Sequence, residues 1–230
     1  MFLDTGTGIS NMSQGYFITG TDTDAGKTWV TLALMEYFKQ QGKTVVGMKP
    51  VAAGCVWQDG QLKNEDALLI QAHASVAVAY ELVNPYAYEL PVSPHIAGKD
   101  NPVVLSEVLA KFDVLKQQAE IILVEGAGGW LAPINNDQDI SDLAKSLALP
   151  VIMVVAIRLG CINHAKLTHQ AIKQARVPCA GWIATCTDAD MLVREENIQT
   201  LKAAVDVPLL GVIPFTKAPD FNQLVAFLNV

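Results

Sequence analysis

A chain of 230 residues with 51% hydrophobic and 17% charged side chains can bury a sizeable core in one domain, which excludes a disordered chain. A formal charge of −7 without a local Lys/Arg cluster excludes nucleic-acid backbones and anionic membranes as partners and favours small-molecule chemistry. The longest apolar run, residues 147–157, is 11 long and contains Pro150, well short of the roughly 20 residues that span a bilayer.

In chain order, residues 1–14 lack the basic start and apolar centre of a secretory signal. They are expected to form a flexible extension ahead of a single domain over residues 15–230. The apolar run 16–21 predicts a strand, and a helical pattern follows over 28–41. Between them stands G-T-D-T-D-A-G-K-T, from Gly20 to Thr28. Such a loop turns successive backbone N–H groups onto an oligophosphate, while Lys27 reaches the outer phosphates and the Thr28 hydroxyl can ligate Mg²⁺. The helix that starts there aims the positive end of its dipole at the same anion. Five residues, Thr21 to Ala25, separate Gly20 from Gly26, so this is a variant of the usual spacing. Thr23 and Asp24 fall inside the loop near the reacting groups. A carboxylate beside polyphosphate is repelled unless it faces a cation or an amine, so Asp24 points to a positively charged or amine-bearing second substrate.

The next strand, 44–50, brings Lys49 to the carboxyl edge beside the phosphate loop, where a second cation would offset charge gathering on a transferred phosphoryl group. As a strand-end side chain outside the core, Lys49 should be removable without loss of the fold. Asp66, near the start of a predicted helix over 64–74, reads either as an oxygen ligand for a metal or as a helix-start acid. Residues 76–101, with Pro85, Pro91 and Pro94, form a long irregular stretch, either functional or a surface excursion. After a helix over 105–118, the strand 119–125 closes on Glu125, an acidic tip suited to Mg²⁺, and the glycines that follow let backbone approach a ligand. A helix over 140–147 and a strand over 151–157 lead to Gly160, Cys161, Ile162 and Asn163. There a helix over 163–175 begins, and the turn is either a second anion site or ordinary capping by Asn163. A strand (179–185), a helix (191–205) and a strand (208–214) complete the chain. This alternation predicts an α/β three-layer fold, a mainly parallel sheet flanked by helices, with ligand loops along one edge. Cys55, Cys161, Cys179 and Cys186 form no C-x-x-C pair, as expected of reduced thiols in a cytoplasm. His164 and His169 lie five apart, off the i, i+4 spacing of a metal pair.

Taken together, G-T-D-T-D-A-G-K-T, K-P-V-A-A-G, N-E-D-A-L, N-P-Y…S-P-H-I-A, L-V-E-G-A-G-G-W, L-G-C-I-N-H-A and P-L-L-G-V-I-P resemble the dethiobiotin synthetases of the P-loop NTPase superfamily, over residues 16–215. The resemblance implies a homodimeric ligase of biotin biosynthesis that closes a ureido ring on 7,8-diaminononanoate with CO₂ (bicarbonate), ATP and Mg²⁺. It implies that Lys49, Lys27, Thr23 and Asp24 surround the reacting carbamate and γ-phosphate, with Thr28, Asp66 and Glu125 holding the metal. Nucleotide contacts would come from Asp24, Ala25, Gly26, Lys27, Thr28, Trp29, Asp66, Glu125, Gly126, Ala127 and Gly128, and from Thr185, Ile213, Pro214 and Phe215. Ala53 would line the substrate site, and the turn of Gly160, Cys161, Ile162 and Asn163 would reach the substrate carboxylate from the partner subunit. Two positions depart from the family pattern. Ala53 stands where serine is common, removing a hydroxyl contact. Thr185 stands where asparagine is common and lacks the amide's paired donor and acceptor, which leaves the base to backbone around Ile213 and the nucleotide choice open. Two rival readings conflict with the sequence: a partitioning ATPase would carry an extra lysine where Thr21 and Asp22 stand, and a cobyrinate-type synthetase would bring a glutamine-hydrolysing domain.

Overall fold

The computed structural model describes residues 14–230. The expectation for the N-terminal extension therefore lies outside the described residues, apart from Gln14, which opens the first strand. The elements run β1 (Gln14–Gly20), α1 (Lys27–Gln40), β2 (Val45–Met48), β3 (Val51–Ala53), a hairpin of β4 (Val56–Gln58) and β5 (Gln61–Lys63), and α2 (Glu65–Ala72). Next come α3 (Tyr80–Val83), β6 (Tyr86–Tyr88), α4 (Pro94–Ala97), α5 (Leu105–Lys116), β7 (Ile121–Gly129), α6 (Ile140–Leu147) and β8 (Val151–Ala156). The chain ends through α7 (Cys161–Gln174), β9 (Cys179–Thr185), α8 (Arg194–Ala204), β10 (Leu209–Ile213) and α9 (Phe221–Leu224).

Six strands form one sheet in the order β10-β9-β8-β1-β7-β2, parallel at every pairing. Its strands are buried on both faces, which is why their sequences lack alternation. Along β7, Ile121 and Leu123 pack with Val30, Leu34 and Ile70 of α1 and α2. Ile122 and Val124 pack on the opposite face with Phe112, Leu143 and Ile172 of α5, α6 and α7. The result is the three-layer arrangement expected from the strand–helix alternation. Strand β1 lies between β7 and β8, where the order reverses, so the loop leaving its carboxyl end opens into the crevice where such sheets take ligands.

The predicted boundaries shift in two places that matter. Helix α1 begins at Lys27, one residue early, because Gly26 adopts φ 86° and ends the loop there. Strand β7 continues past Glu125 to Gly129, because β1 re-registers to pair Gly20 with Gly129. The stretch 76–101 is more ordered than its prolines suggest: it contains α3, β6 and α4, and β6 pairs with β3 in a small parallel sheet. Among the described residues no helix is long and apolar enough to cross a membrane.

Candidate active site

A cleft of about 1020 Å³ opens at the carboxyl edge of the sheet. Its floor is the phosphate loop. Lys27, 7% exposed, donates from Nζ to the Asp22 carbonyl at 2.9 Å. A side chain at position 20 would meet that same carbonyl at 2.9 Å and the lysine Cδ at 3.1 Å, so glycine there is what lets Lys27 fold under the loop. Asp22 is held in turn by Arg158, Nη2 to Oδ2 at 2.6 Å, and accepts the Thr23 N–H at 2.8 Å. Asp24 takes φ 57°, the left-handed conformation that aspartate tolerates better than most side chains.

The second group of charges sits on the adjoining strand tips. Register pairs Met48 of β2 with Val124 of β7, so the next residues, Lys49 and Glu125, meet. Lys49 Nζ donates to Glu125 Oε1 at 2.8 Å and also pairs with Asp66 Oδ2. Thr28 Oγ1 donates to the same Glu125 oxygen at 2.9 Å, and Thr31 Oγ1 lies 2.9 Å from Oε2. Glu125 is fully buried, so its charge depends on these partners. Burial lowers the pKa of Lys27 from its ordinary 10.5, a shift only partly opposed by Glu125. Burial also acts on Lys49, but attraction to Glu125 and Asp66 and the hydrogen bonds to both outweigh it, and the pKa rises. Lys49 is 7% exposed, so the expectation that it stands outside the core is corrected: strand pairing carries it inward against Glu125.

A polar chain behind the site fixes Lys49 and Asp66. Asn64 caps α2 by accepting the Ala67 N–H at 3.2 Å, which sets Asp66 on the first turn. Its own N–H donates to the Tyr80 hydroxyl at 2.8 Å, which donates to Asn84 Oδ1 at 3.0 Å. Asn84 Nδ2 then donates to the Lys49 carbonyl at 2.7 Å. Nothing in the sequence marks Tyr80 or Asn84 as a site residue, although Asn84 opens the N-P-Y motif.

Among the expected site residues, Thr23, Asp24, Gly26, Lys27, Thr28, Trp29, Lys49, Ala53, Asp66, Glu125, Ala127, Gly128, Thr185, Ile213, Pro214 and Phe215 line this one cleft. Ala25 is buried beneath the loop and Gly126 within β7. Thr185 turns its hydroxyl inward, Oγ1 lying 2.6 Å from the Ala25 carbonyl and 3.3 Å from that of Val155, so its one proton is committed to backbone. Gly160, Cys161, Ile162 and Asn163 lie outside the cleft of their own chain, at the start of α7, with Cys161 buried. Residues 91–94, Leu131, Ala132, Thr187 and Thr216 line the cleft without having been expected. Of these, residues 91–94 carried a signal, the long irregular stretch 76–101 that reads as either functional or a surface excursion, with Ser93 and Pro94 also in the S-P-H-I-A motif. The four cysteines are unpaired.

Thr28, Asp66 and Glu125 are hard oxygen donors: the two carboxylates share one cation, Lys49, and Thr28 gives its proton to Glu125, which leaves its lone pairs free. That set fits Mg²⁺, which takes one or two carboxylates and completes its shell with water and phosphate. Among the described residues no three His, Cys, Asp or Glu side chains gather as an all-protein metal site.

The fold is similar to that of the septum site-determining protein MinD of Pyrococcus horikoshii in complex with Mg-ADP, at TM-score 0.56 and 19% identity over 95% of this chain and 88% of that one. The MinC:MinD complex of Aquifex aeolicus gives 0.58 and 15%, over 92% and 86%. Fold and site together define a phosphate-loop NTPase-type enzyme. Residues 14–221 match a family model described as an AAA domain, and the ATP-dependent dethiobiotin synthetase BioD of Nitrosospira multiformis is 45% identical over 224 residues, 95% of this chain and 96% of that protein. That of Cellvibrio japonicus is 48% identical over 219 residues, 94% and 96% of the two chains. The chain belongs to the ATP-dependent dethiobiotin synthetases, ligases that form C–N bonds.

Proposed function

We propose that this chain closes a ureido ring on 7,8-diaminononanoate with CO₂, ATP and Mg²⁺, giving dethiobiotin, ADP and phosphate. One amine adds to CO₂ and loses a proton, forming a carbamate. A carbamate oxygen attacks the γ-phosphorus as the bond to ADP breaks, giving a carbamic–phosphoric anhydride. The second amine then attacks the carbamoyl carbon, phosphate leaves, and a proton is released. The observation that carries this reading is that two buried ammonium groups, Lys27 and Lys49, face one cleft, one on the phosphate loop and one bonded to Glu125.

Lys27 and Lys49, each 7% exposed, take up the negative charge that spreads over the carbamate and the transferring phosphoryl oxygens. Thr23 and Asp24 hold the reacting amine against the loop. Thr28, Asp66 and Glu125 would hold Mg²⁺, which would supply positive charge against the phosphate oxygens. The loop from Asp24 to Trp29 and the Glu125–Gly128 segment bind the phosphates, and the wall of Ile213, Pro214 and Phe215 flanks the base. The cleft, at about 1020 Å³, lies at the upper end of the roughly 300–1,000 Å³ range of small-molecule pockets. The turn Gly160–Asn163 lies off its own cleft, which supports a homodimer in which a second copy supplies the contact to the substrate carboxylate. All these reagents are expected in a cytoplasm.

The test is detection by mass of dethiobiotin from diaminononanoate, ¹³C-bicarbonate, Mg²⁺ and a panel of nucleoside triphosphates. Label in the product, lost on chelation of the metal, is the expected result. Nucleotide hydrolysis that ignores the diamine would overturn the reading.

A further inference from the structure

Ser93 stands immediately before α4, where a serine ordinarily caps the helix, yet its side chain makes no cap bond. Its Oγ instead lies 2.9 Å from Nδ1 of His95. Ser93 lines the cleft together with Lys49 and Ala53. The segment that carries it is fastened to the end of β3: the Cys55 N–H donates to the Tyr88 carbonyl at 2.9 Å, and the Gly54 N–H to that of Leu90 at 3.3 Å. Gly54, at φ 72°, lets Pro91 approach to 3.3 Å from where a Cβ would sit. The fold thus brings a hydroxyl to the side of the cleft where Ala53 offers a methyl group.

We propose that Ser93 is a substrate-binding residue accepting a hydrogen bond from an amine of the diamine, and that His95 is a positioning residue acting through it. The inference rests on the ligase reading given above. With His95 as the Nε2–H tautomer, Nδ1 takes the serine proton and leaves the Oγ lone pairs for an N–H donor. An amine is such a donor and a carbamate oxygen is not, so the contact suits the nitrogen that must later attack and not the carboxylate end of the carbamate. Donation to the imidazole polarises the hydroxyl and strengthens it as an acceptor. Holding the amine by one N–H leaves its lone pair free to meet the carbamoyl carbon. No covalent bond to the protein forms.

Ser93→Ala is expected to raise KM for the diamine about tenfold while KM for the nucleotide stays unchanged, as one lost substrate hydrogen bond predicts. Ser93→Thr, which keeps the hydroxyl, should restore most of that loss. His95→Ala should raise diamine KM by about threefold in the wild-type background and add nothing once Ser93 is alanine, since it acts through that hydroxyl. If Ser93→Ala does not fold, Ser93→Cys, similar in size but a weak acceptor, carries the same expectation. An unchanged diamine KM, or equal rises in both KM values, overturns the contact. A His95 effect that persists without Ser93 overturns the positioning role. If wild-type protein makes no dethiobiotin, the ligase reading itself falls, whereas product formation with an indifferent Ser93→Ala sinks this inference alone.

Discussion

Lys49 Nζ donates to Glu125 Oε1 across 2.8 Å because their strands lie side by side in register, with Met48 opposite Val124. Two residues 76 positions apart in sequence thereby form the charged centre of the cleft. Lys49→Ala is expected to lower product formation by at least about a hundredfold, through loss of a cation aimed at the developing charge. It should also reduce stability by about 1–3 kcal/mol, less than the roughly 3–5 kcal/mol of a stranded buried charge, because Thr28 and Thr31 remain on Glu125. Urea denaturation and the product assay measure the two effects separately, and wild-type turnover would remove Lys49 from the mechanism.

Asn84 is 4% exposed and ties three segments through the Tyr80 hydroxyl and the carbonyls of Lys49 and Tyr86. Asn84→Ala leaves buried donors and acceptors unpaired, with an expected cost of about 2–4 kcal/mol. Because it releases the backbone of Lys49, it should lower kcat while leaving nucleotide KM near the wild-type value. A fall in stability with kcat intact would show that the polar chain only supports the fold.

Thr185 holds the phosphate loop from below through the Ala25 carbonyl. Thr185→Val, nearly the same shape, should raise nucleotide KM about fivefold, consistent with one lost hydrogen bond of about 1 kcal/mol, whereas Thr185→Ser should not. At Gly26, φ 86°, a Cβ would meet Thr185 Cγ2 at 3.0 Å. Gly26→Ala therefore suffers a left-handed backbone cost of about 1–2 kcal/mol and a clash. Adding Thr185→Ser should remove the closest contact, leaving Cβ at 3.2 Å, Oγ1 at 3.3 Å and the backbone strain, and partial recovery of nucleotide binding, read by calorimetry, checks this. No recovery would mean that the contact is not what limits the variant.

Asp206, after α8, bonds Lys173 Nζ at 2.6 Å and pairs with His169, joining this connection to α7. Those bonds, Lys173 first, lower its pKa from 3.8 to about 2. A carboxylate depressed on folding contributes stability above pH 3.8, and that contribution is lost as pH falls from 3.8 to about 2. The Tm difference between wild type and Asp206→Asn should shrink over this window and also shrink with added salt, since Asp206 is exposed. A difference that does not change with pH would show that the ion pair is not linked to folding.

Much of this was legible in the chain itself. Buried parallel strands must be apolar on both faces, so the runs ending near Thr21, Pro50, Glu125, Ile157, Thr185 and Pro214 marked the sheet without its order. The phosphate loop was legible because its chemistry is local: Gly20, Gly26, Lys27 and Thr28 act through backbone geometry and one helix start. Lys49, Asp66 and Glu125 could be named as candidates, and the resemblance set Asp66 and Glu125 on one metal, but the direct pairing of Lys49 with both carboxylates was not legible, because it depends on β2 lying beside β7. Residues 80–97 were the least legible. Their prolines obscured three short elements whose order comes from contacts with β2, β3 and α5, and so Asn84, Tyr80 and Ser93 had no visible partners.

By itself the sequence determined the sheet-and-helix alternation, the anion-binding loop and the kinds of charge available, since each follows from periodicity or short-range backbone geometry. The tertiary structure alone decided which charges touch, that Lys49 is buried, that the Thr185 hydroxyl serves the loop, and that the turn at Gly160 stands away from its own cleft. Those outcomes depend on strand register and helix packing between residues far apart in the chain, where local preferences carry no information.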